Sequence, residues 1–109
     1  MEKKRDSTPA GPNESVSRQI VMSGIRPTGF LHLGNYFGAM RNYIKMQDEF
    51  DCFFMVADLH SLTTHPDTRE LKANVHRVLA ENIACGLDPE KVALYCQSHV
   101  HETSELYLY

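Results

Sequence analysis

Cysteine is scarce in this sequence, with three residues among 109 and no C-x-x-C pair. That argues against a disulfide framework. Cys52 and Cys96, set in apolar runs, and Cys85, near a helix end, read instead as reduced, buried thiols of a cytosolic protein. Long apolar runs are also missing: none approaches the roughly 20 residues of a membrane span. The first 18 residues lack the apolar core of a secretory signal, and Glu2, Asp6 and Glu14 oppose a mitochondrial transit peptide. An excess of basic charge is missing too. With a formal charge of -3, the chain carries no general nucleic-acid footprint, so RNA is either not this segment's task or is met by a surface elsewhere. Neither G-x-G-x-x-G nor G-x-x-x-x-G-K-[ST] occurs, which removes the dinucleotide fingerprint and the P-loop. No Ser/His/Asp or Cys/His nucleophile arrangement has local support. His65, His76, His99 and His101 form no convincing metal set, because His99-x-His101 lacks a third ligand, and no metal site is expected.

What remains is an ordinary globular composition, 42% hydrophobic and 23% charged, which fits one soluble domain. Residues 1–18 are polar and rich in Pro, Gly and Ser. They cannot bury enough apolar surface to offset ordering, so they are expected to be a disordered tail ahead of a domain over 19–109.

Within that domain the periodicity alternates. Ile20–Ser23 predicts a first strand and Gly24–Leu33 a loop. Gly34 to about Asp48 predicts a helix with a mostly apolar stripe of Tyr36, Phe37, Met40, Tyr43, Ile44 and Gln47. The unbroken apolar run Cys52–Ala57 suits a strand buried on both faces of a parallel sheet. Thr63–Pro66 reads as a loop. Asp67 to Glu70 fits a capping box with Asp67 as N-cap, opening a helix to about Cys85 whose buried stripe is Leu71, Val75, Val78, Leu79 and Ile83. Gly86 suits the left-handed residue after that helix, and Pro89 blocks continuation. Val92–Cys96 predicts a third strand, and His101–Tyr109 the start of another helix. The order β-α-β-α-β predicts an α/β fold, part of a Rossmann-like doubly wound parallel sheet. Such sheets bind ligands beyond the carboxyl ends of their strands. Both Gly24–Asn35 and Asp58–His60 fall there.

The segment Ser23-Gly24-Ile25-Arg26-Pro27-Thr28-Gly29-Phe30-Leu31-His32-Leu33-Gly34-Asn35 carries the chemistry. A strand, a glycine-rich turn, a His-Leu-Gly-Asn tetrapeptide and a helix together put free backbone N–H groups and an imidazole where phosphate oxygens can sit. Gly24, Gly29 and Gly34 permit close backbone approach and positive φ, and Pro27 stiffens the turn. His32 can donate to a phosphate oxygen as charge builds in a transition state; taken alone it reads as a surface or capping histidine. Asn35 can offer an amide donor to phosphate or ribose, or serve as an N-cap. Asp58 and His60 divide evenly between lining a substrate pocket and the plainer alternative, in which Asp58 caps a turn and His60 is half exposed.

Met22–Ala39 resembles the first signature region of class I aminoacyl-tRNA synthetases, with His32-Leu33-Gly34-Asn35 in the place of that class's His-Ile-Gly-His. The longer phrase Ser23–Ala39 is similar to the bacterial-type tryptophan–tRNA ligases, and Asn35, Tyr36 and Gly38 favour tryptophan over tyrosine enzymes. The likeness continues through Phe53–His60, Gly86-Leu87-Asp88-Pro89 and Gln97-Ser98, and covers about residues 20–109. It implies ATP-dependent activation of tryptophan, assisted by magnesium, and transfer to tRNA(Trp). It implies ATP-binding roles for Arg26, Pro27, Thr28, Gly29, His32, Gly34 and Asn35, with His32 and Asn35 as the catalytic pair. Met22, Gly24 and His60 would lie at the tryptophan pocket, Met22 standing where some relatives carry an aromatic residue.

The family's Lys-Met-Ser-Lys-Ser signature does not occur in the sequence. That signature, the indole-reading acid, the anticodon-meeting helical domain and much of a homodimer interface would lie beyond Tyr109. The resemblance therefore implies the amino-terminal part of a cytoplasmic enzyme. The alternatives are a truncated nucleotide-binding module without catalysis and a small nucleotidylyltransferase with a similar tetrapeptide.

Overall fold

The computed structural model describes residues 17–64 and 66–109. The expected tail lies outside them except for its last two residues, and so does His65. Three parallel strands, β1 (Ile20–Ile25), β2 (Asp51–Val56) and β3 (Ala93–Cys96), form one sheet in the order β1-β2-β3. Gly24 pairs with Met55 and Phe54 with Leu94. Between β1 and β2 runs a continuous helical segment: α1 (Leu33–Asn35), a π-helical turn (Tyr36–Met40) and α2 (Arg41–Met46). After β2 come a short α3 (Asp58–Ser61) and the long α4 (Leu71–Ala84); after β3, a 3-10 turn (Gln97–His99) and α5 (His101–Leu106). The architecture is α/β with an open parallel sheet, as expected.

The sheet differs from expectation in how its faces are covered. β2 is not buried on both faces: Cys52, Phe54 and Val56 are inside, while Phe53 on the other face is 41% exposed. β1 alternates likewise, with Ile20 and Met22 outward. Both helical layers use the same face. Met40 and Tyr43 pack with Cys52 and Phe54, and Val78 of α4 packs with Val56 and Cys96. Strands added successively in one direction by crossovers of one hand carry their connecting helices on one side. The apolar run in β2 therefore reports an apolar second face, not a covered one.

The helix after β1 also departs from its stripe. A π turn carries more residues than the 3.6 of an α turn, and each extra residue sets the phase back by about 100°. Met40 and Tyr43 reach the core, whereas Phe37 is 58% exposed and sits edge-on to Tyr36 at 5.2 Å. Tyr43 stacks on Phe54 at 4.2 Å and shares a 2.6 Å hydrogen bond with the Ser23 hydroxyl. A buried aromatic pair of this kind adds about 0.5–1.5 kcal/mol beyond its area. Gln47, the polar end of the stripe, is buried with both ends used: its Nε2 donates to the Gly86 carbonyl and its Oε1 accepts from Asp88 N–H. That bridge clips the end of α2 to the turn after α4.

α4 differs from expectation at its start and in its buried stripe. The helix starts at Leu71, and Glu70 at its N-cap makes no side-chain cap. Asp67 instead accepts from the Arg69 N–H and guanidinium. The guanidinium supplies charge-assisted bonds that a distant helical N–H cannot match, and it holds the Asp67 carboxyl below its usual range. At the far end Gly86 has φ +117° and stops the helix as expected. Ile83 is exposed, whereas Asn82 is buried, so the inner stripe passes through 78 and 82. Among the described residues no helix is long and apolar enough to cross a membrane.

Candidate active site

The site begins where β1 ends. Ala57 N–H donates to the Ile25 carbonyl at 2.8 Å, carrying the pairing one step past β2. Gly24, expected in the loop, is therefore a strand residue. A Cβ there would stand 3.3 Å from the Met55 carbonyl oxygen and 3.4 Å from its methyl carbon, so glycine suits the close approach of the two strands. The chain then turns at Arg26-Pro27-Thr28, where Thr28 N–H donates to the Arg26 carbonyl at 2.9 Å around a buried Pro27. Gly29 has φ +94°, the left-handed region in which a side chain is strained. It is the one glycine of the three signature glycines that needs positive φ.

His32 is the N-cap of α1 and extended, with φ -115° and ψ 170°. Its Nδ1 accepts from the N–H groups of Gly34 at 3.1 Å and Asn35 at 3.4 Å. Asn35 Oδ1 returns the contact by accepting from His32 N–H at 3.2 Å. This is a capping box with histidine in the cap role, so Asn35 is the third helical residue of the box and not its N-cap. The consequence is chemical. A ring nitrogen that accepts two hydrogen bonds carries no proton, so the neutral imidazole holds its hydrogen on Nε2. Because the ring is exposed, that N–H is a fixed donor available outside the protein. Gly34 serves the same geometry: a Cβ there would stand 3.0 Å from both Cε1 and Nδ1 of His32.

The second strand end is built around Asp58, which is buried. Its Oδ1 accepts from the N–H groups of Leu59 and Ser98, and its Oδ2 from the Ser98 hydroxyl. The turn-capping alternative thus describes Asp58, with the addition that it ties the end of β2 to the end of β3. His60 is exposed, and its N–H donates to Gln97 Oε1 at 3.0 Å. Met22, 61% exposed, and Gly24 share the open face of β1, while His60 lies beyond the carboxyl end of the neighbouring strand. The expected site residues therefore divide into a hydrogen-bonded group, His32, Gly34 and Asn35, and a set spread along the open face and strand ends.

Sequence reasoning missed the contribution of α4. Arg77 lies over the Phe30 ring at 4.2 Å, and Glu81 Oε2 accepts from Leu31 N–H at 3.2 Å. The signal was available as polar residues at positions 74, 77 and 81, one side of a helix, but it reads equally as a solvated face. A cavity of about 880 Å³ lies beside the turn, lined by Pro27, Thr28 and Gly29 on one side and by Arg69, Asn74 and Arg77 on another. His32 and Asn35 do not line it. Among the described residues no group of three or more His, Cys, Asp or Glu is placed to hold a metal ion.

Comparison with known proteins gives the family. The family described as tRNA synthetases class I (W and Y) matches residues 14–109. The tryptophan–tRNA ligase of Porphyromonas gingivalis is 59% identical over 91 residues, which cover 84% of this chain and 28% of that protein. The tryptophan–tRNA ligase of Aquifex aeolicus is 52% identical over 89 residues, 81% of this chain and 22% of that one. The crystal structure of tryptophanyl-tRNA synthetase from Campylobacter jejuni complexed with ADP and tryptophan superposes with a TM-score of 0.78 at 37% identity. It covers 83% of this chain and 28% of that one. The chain thus spans about a quarter of the length of the relatives it matches. Its sequence and fold place it plainly: this chain belongs to the class I tRNA synthetases of the W and Y family.

Proposed function

We propose that this chain is the ATP-binding amino-terminal part of a tryptophan–tRNA ligase. In the reaction it serves, a carboxylate oxygen of tryptophan attacks the α-phosphorus of ATP. The bond to the bridging oxygen breaks, pyrophosphate leaves, and tryptophanyl-adenylate forms. The tryptophanyl group then passes to the terminal ribose of tRNA(Trp), which is engaged largely by parts of the enzyme outside this sequence. The observation that carries the reading is the His32 cap, which fixes a single N–H donor at the carboxyl edge of a parallel sheet.

In this scheme Arg26, Pro27, Thr28 and Gly29 line the nucleotide. His32 Nε2–H donates to a phosphate oxygen, and Gly34 keeps the ring in place. Asn35 braces His32 through its Oδ1 and retains its side-chain amide N–H groups for phosphate or ribose. Attack at phosphorus asks the protein for positioning and charge stabilisation more than for covalent chemistry, and a donor held by its own cap needs no rearrangement as charge develops. Met22, Gly24 and His60 form part of the tryptophan pocket, with the Met22 thioether against the indole. Magnesium would accompany the triphosphate; the described residues offer it no cluster of three or more His, Cys, Asp or Glu ligands. The whole enzyme acts as a homodimer in the cytoplasm.

The test is tryptophan-dependent exchange of pyrophosphate into ATP, measured on the protein as its gene encodes it. Exchange that requires tryptophan supports the reading. ATP binding without exchange would instead leave a nucleotide-binding module, and exchange driven by another acidic small molecule would identify a nucleotidylyltransferase.

A further inference from the structure

The side of α4 that looks onto the signature turn is polar, and the apolar core makes no use of it. Asn74, Arg77 and Glu81 are all half-buried, and each is engaged. Arg77 Nη1 donates to Asn74 Oδ1 at 3.1 Å, the Arg77 guanidinium carbon lies 4.2 Å from the centre of the Phe30 ring, and Glu81 Oε2 accepts from Leu31 N–H at 3.2 Å. Two successive residues of the turn are therefore anchored to one helix, one turn of that helix apart. The anchors precede His32 directly.

We propose that Glu81, backed by Arg77, is a positioning residue for the nucleotide: it fixes Leu31 and thereby the place of the His32 donor relative to the sheet. This deepens the adenylate-forming reading and rests on it. The capping box sets the His32 ring relative to α1, the first turn of the helical segment that reaches the core through Met40 and Tyr43. Leu31, immediately before the cap, is the second point that sets the ring's direction with respect to a bound triphosphate. The turn is held behind by the Ala57–Ile25 bond and ahead by Glu81. A carboxylate next to an anion-binding turn opposes the anion, so its presence calls for a compensating use. A charge-assisted bond to a backbone N–H with no other partner among the described residues is such a use, and Arg77, four residues before it on the same face, brings a positive charge to the same turn. Because Leu31 is only half-buried, its N–H can turn to water when Glu81 is removed. The fold then survives, with the Leu31 side chain still packed against the core, while the Leu31 backbone loses its polar anchor.

The experiment compares Glu81→Ala and Glu81→Gln in the protein as its gene encodes it. Pyrophosphate exchange is measured with ATP and tryptophan varied separately, and hydrogen exchange is followed at the backbone amides of residues 29–33. E81A is expected to lower kcat/KM for ATP by about tenfold or more, the order of loss that follows a small misplacement of a reacting group. KM for tryptophan should stay within about twofold, since its pocket is not touched. The Leu31 amide should exchange faster in E81A. E81Q keeps an oxygen that accepts from Leu31 and should retain most of the activity and the protection. Wild-type kinetics in E81A, or equal losses in both variants, would overturn the proposal, as would an E81A protein without a folded state, since the carboxylate would then serve the fold. A wild-type protein with no tryptophan-dependent exchange, but whose Leu31 protection is lost in E81A, would instead remove the adenylation reading and leave the anchor standing.

Discussion

Replacing Gly34 by alanine separates the stability of this site from its chemistry. The new Cβ would lie 3.0 Å from the Cε1 and Nδ1 atoms of His32, closer than ordinary van der Waals contact, so the ring must shift. The longer of its two cap bonds, 3.4 Å to Asn35 N–H, has the least margin. Loss of an N-cap costs about 1 kcal/mol. Against this, alanine is favoured over glycine within a helix by about 0.5–1 kcal/mol. The two nearly cancel, and the melting temperature should move by no more than a few degrees. Catalysis has no such compensation. Displacement of the Nε2–H donor from its fixed direction should reduce tryptophan-dependent pyrophosphate exchange by on the order of 10²-fold, the cost of losing one oriented transition-state donor. The assay is exchange kinetics beside thermal unfolding of the same preparation, with His32→Ala for comparison. An alanine variant with full exchange activity would refute the argument, because the ring would then tolerate the Cβ or play no part. A fall in activity that only follows a large fall in melting temperature would refute it in another way, by making the effect one of folding.

Three further outcomes follow from the packing. Gly86→Ala should destabilise the chain by about 1–2 kcal/mol in urea unfolding, since φ +117° is strained for any side chain; space is not the obstacle, the nearest atom being an Ile44 methyl at 3.7 Å. Asn82→Leu should be neutral or stabilise by up to about 1 kcal/mol: the buried Oδ1 has no partner among the described residues, and Nδ2 only bonds back to the Val78 carbonyl. Destabilisation in the same unfolding assay would refute the reading of this amide as an unsatisfied buried group. Burial pushes the thiols of Cys52 and Cys96 up, with the Asp58 charge adding to Cys96. Their thiol forms are favoured in the fold, so this contribution to stability is present below the ordinary thiol range and is lost as the pH rises through their raised values. At pH 8 iodoacetamide should therefore modify Cys85 first, and rapid labelling of Cys52 in the folded protein would contradict the burial.

Local signals were legible in the sequence where one residue type has one physical use. Gly86 after an apolar helix, the β-α-β-α-β alternation and the glycine-bearing strand-to-helix turn all stand where the pattern put them. The errors arise where two uses compete for the same residue. Asp67 looked like a helix cap, but Arg69 lies two positions away and offers a stronger partner. Phe37 fitted a 3.6-residue stripe, but the π turn, which no apolar count reveals, moved it outward. The apolar run Cys52–Ala57 was read as doubly buried because periodicity records what a face is made of and not what covers it.

The same distinction explains the site. His32 carries two readings in sequence, capping residue or phosphate donor, and the structure makes them compatible: the cap uses Nδ1 and thereby assigns the hydrogen to Nε2. On the proposed reading, capping aims the donor. Asn35 follows the same logic, spending its oxygen on His32 N–H and keeping its nitrogen. Asp58 differs, because its observed bonds, accepted from the Leu59 and Ser98 N–H groups and the Ser98 hydroxyl, tie the two strand ends together. What separates these cases is valence: a side chain with two chemically distinct ends can serve the fold with one and the reaction with the other. A hydrogen-bond count at each atom therefore says more about His32, Asn35 and Asp58 than their place in any motif.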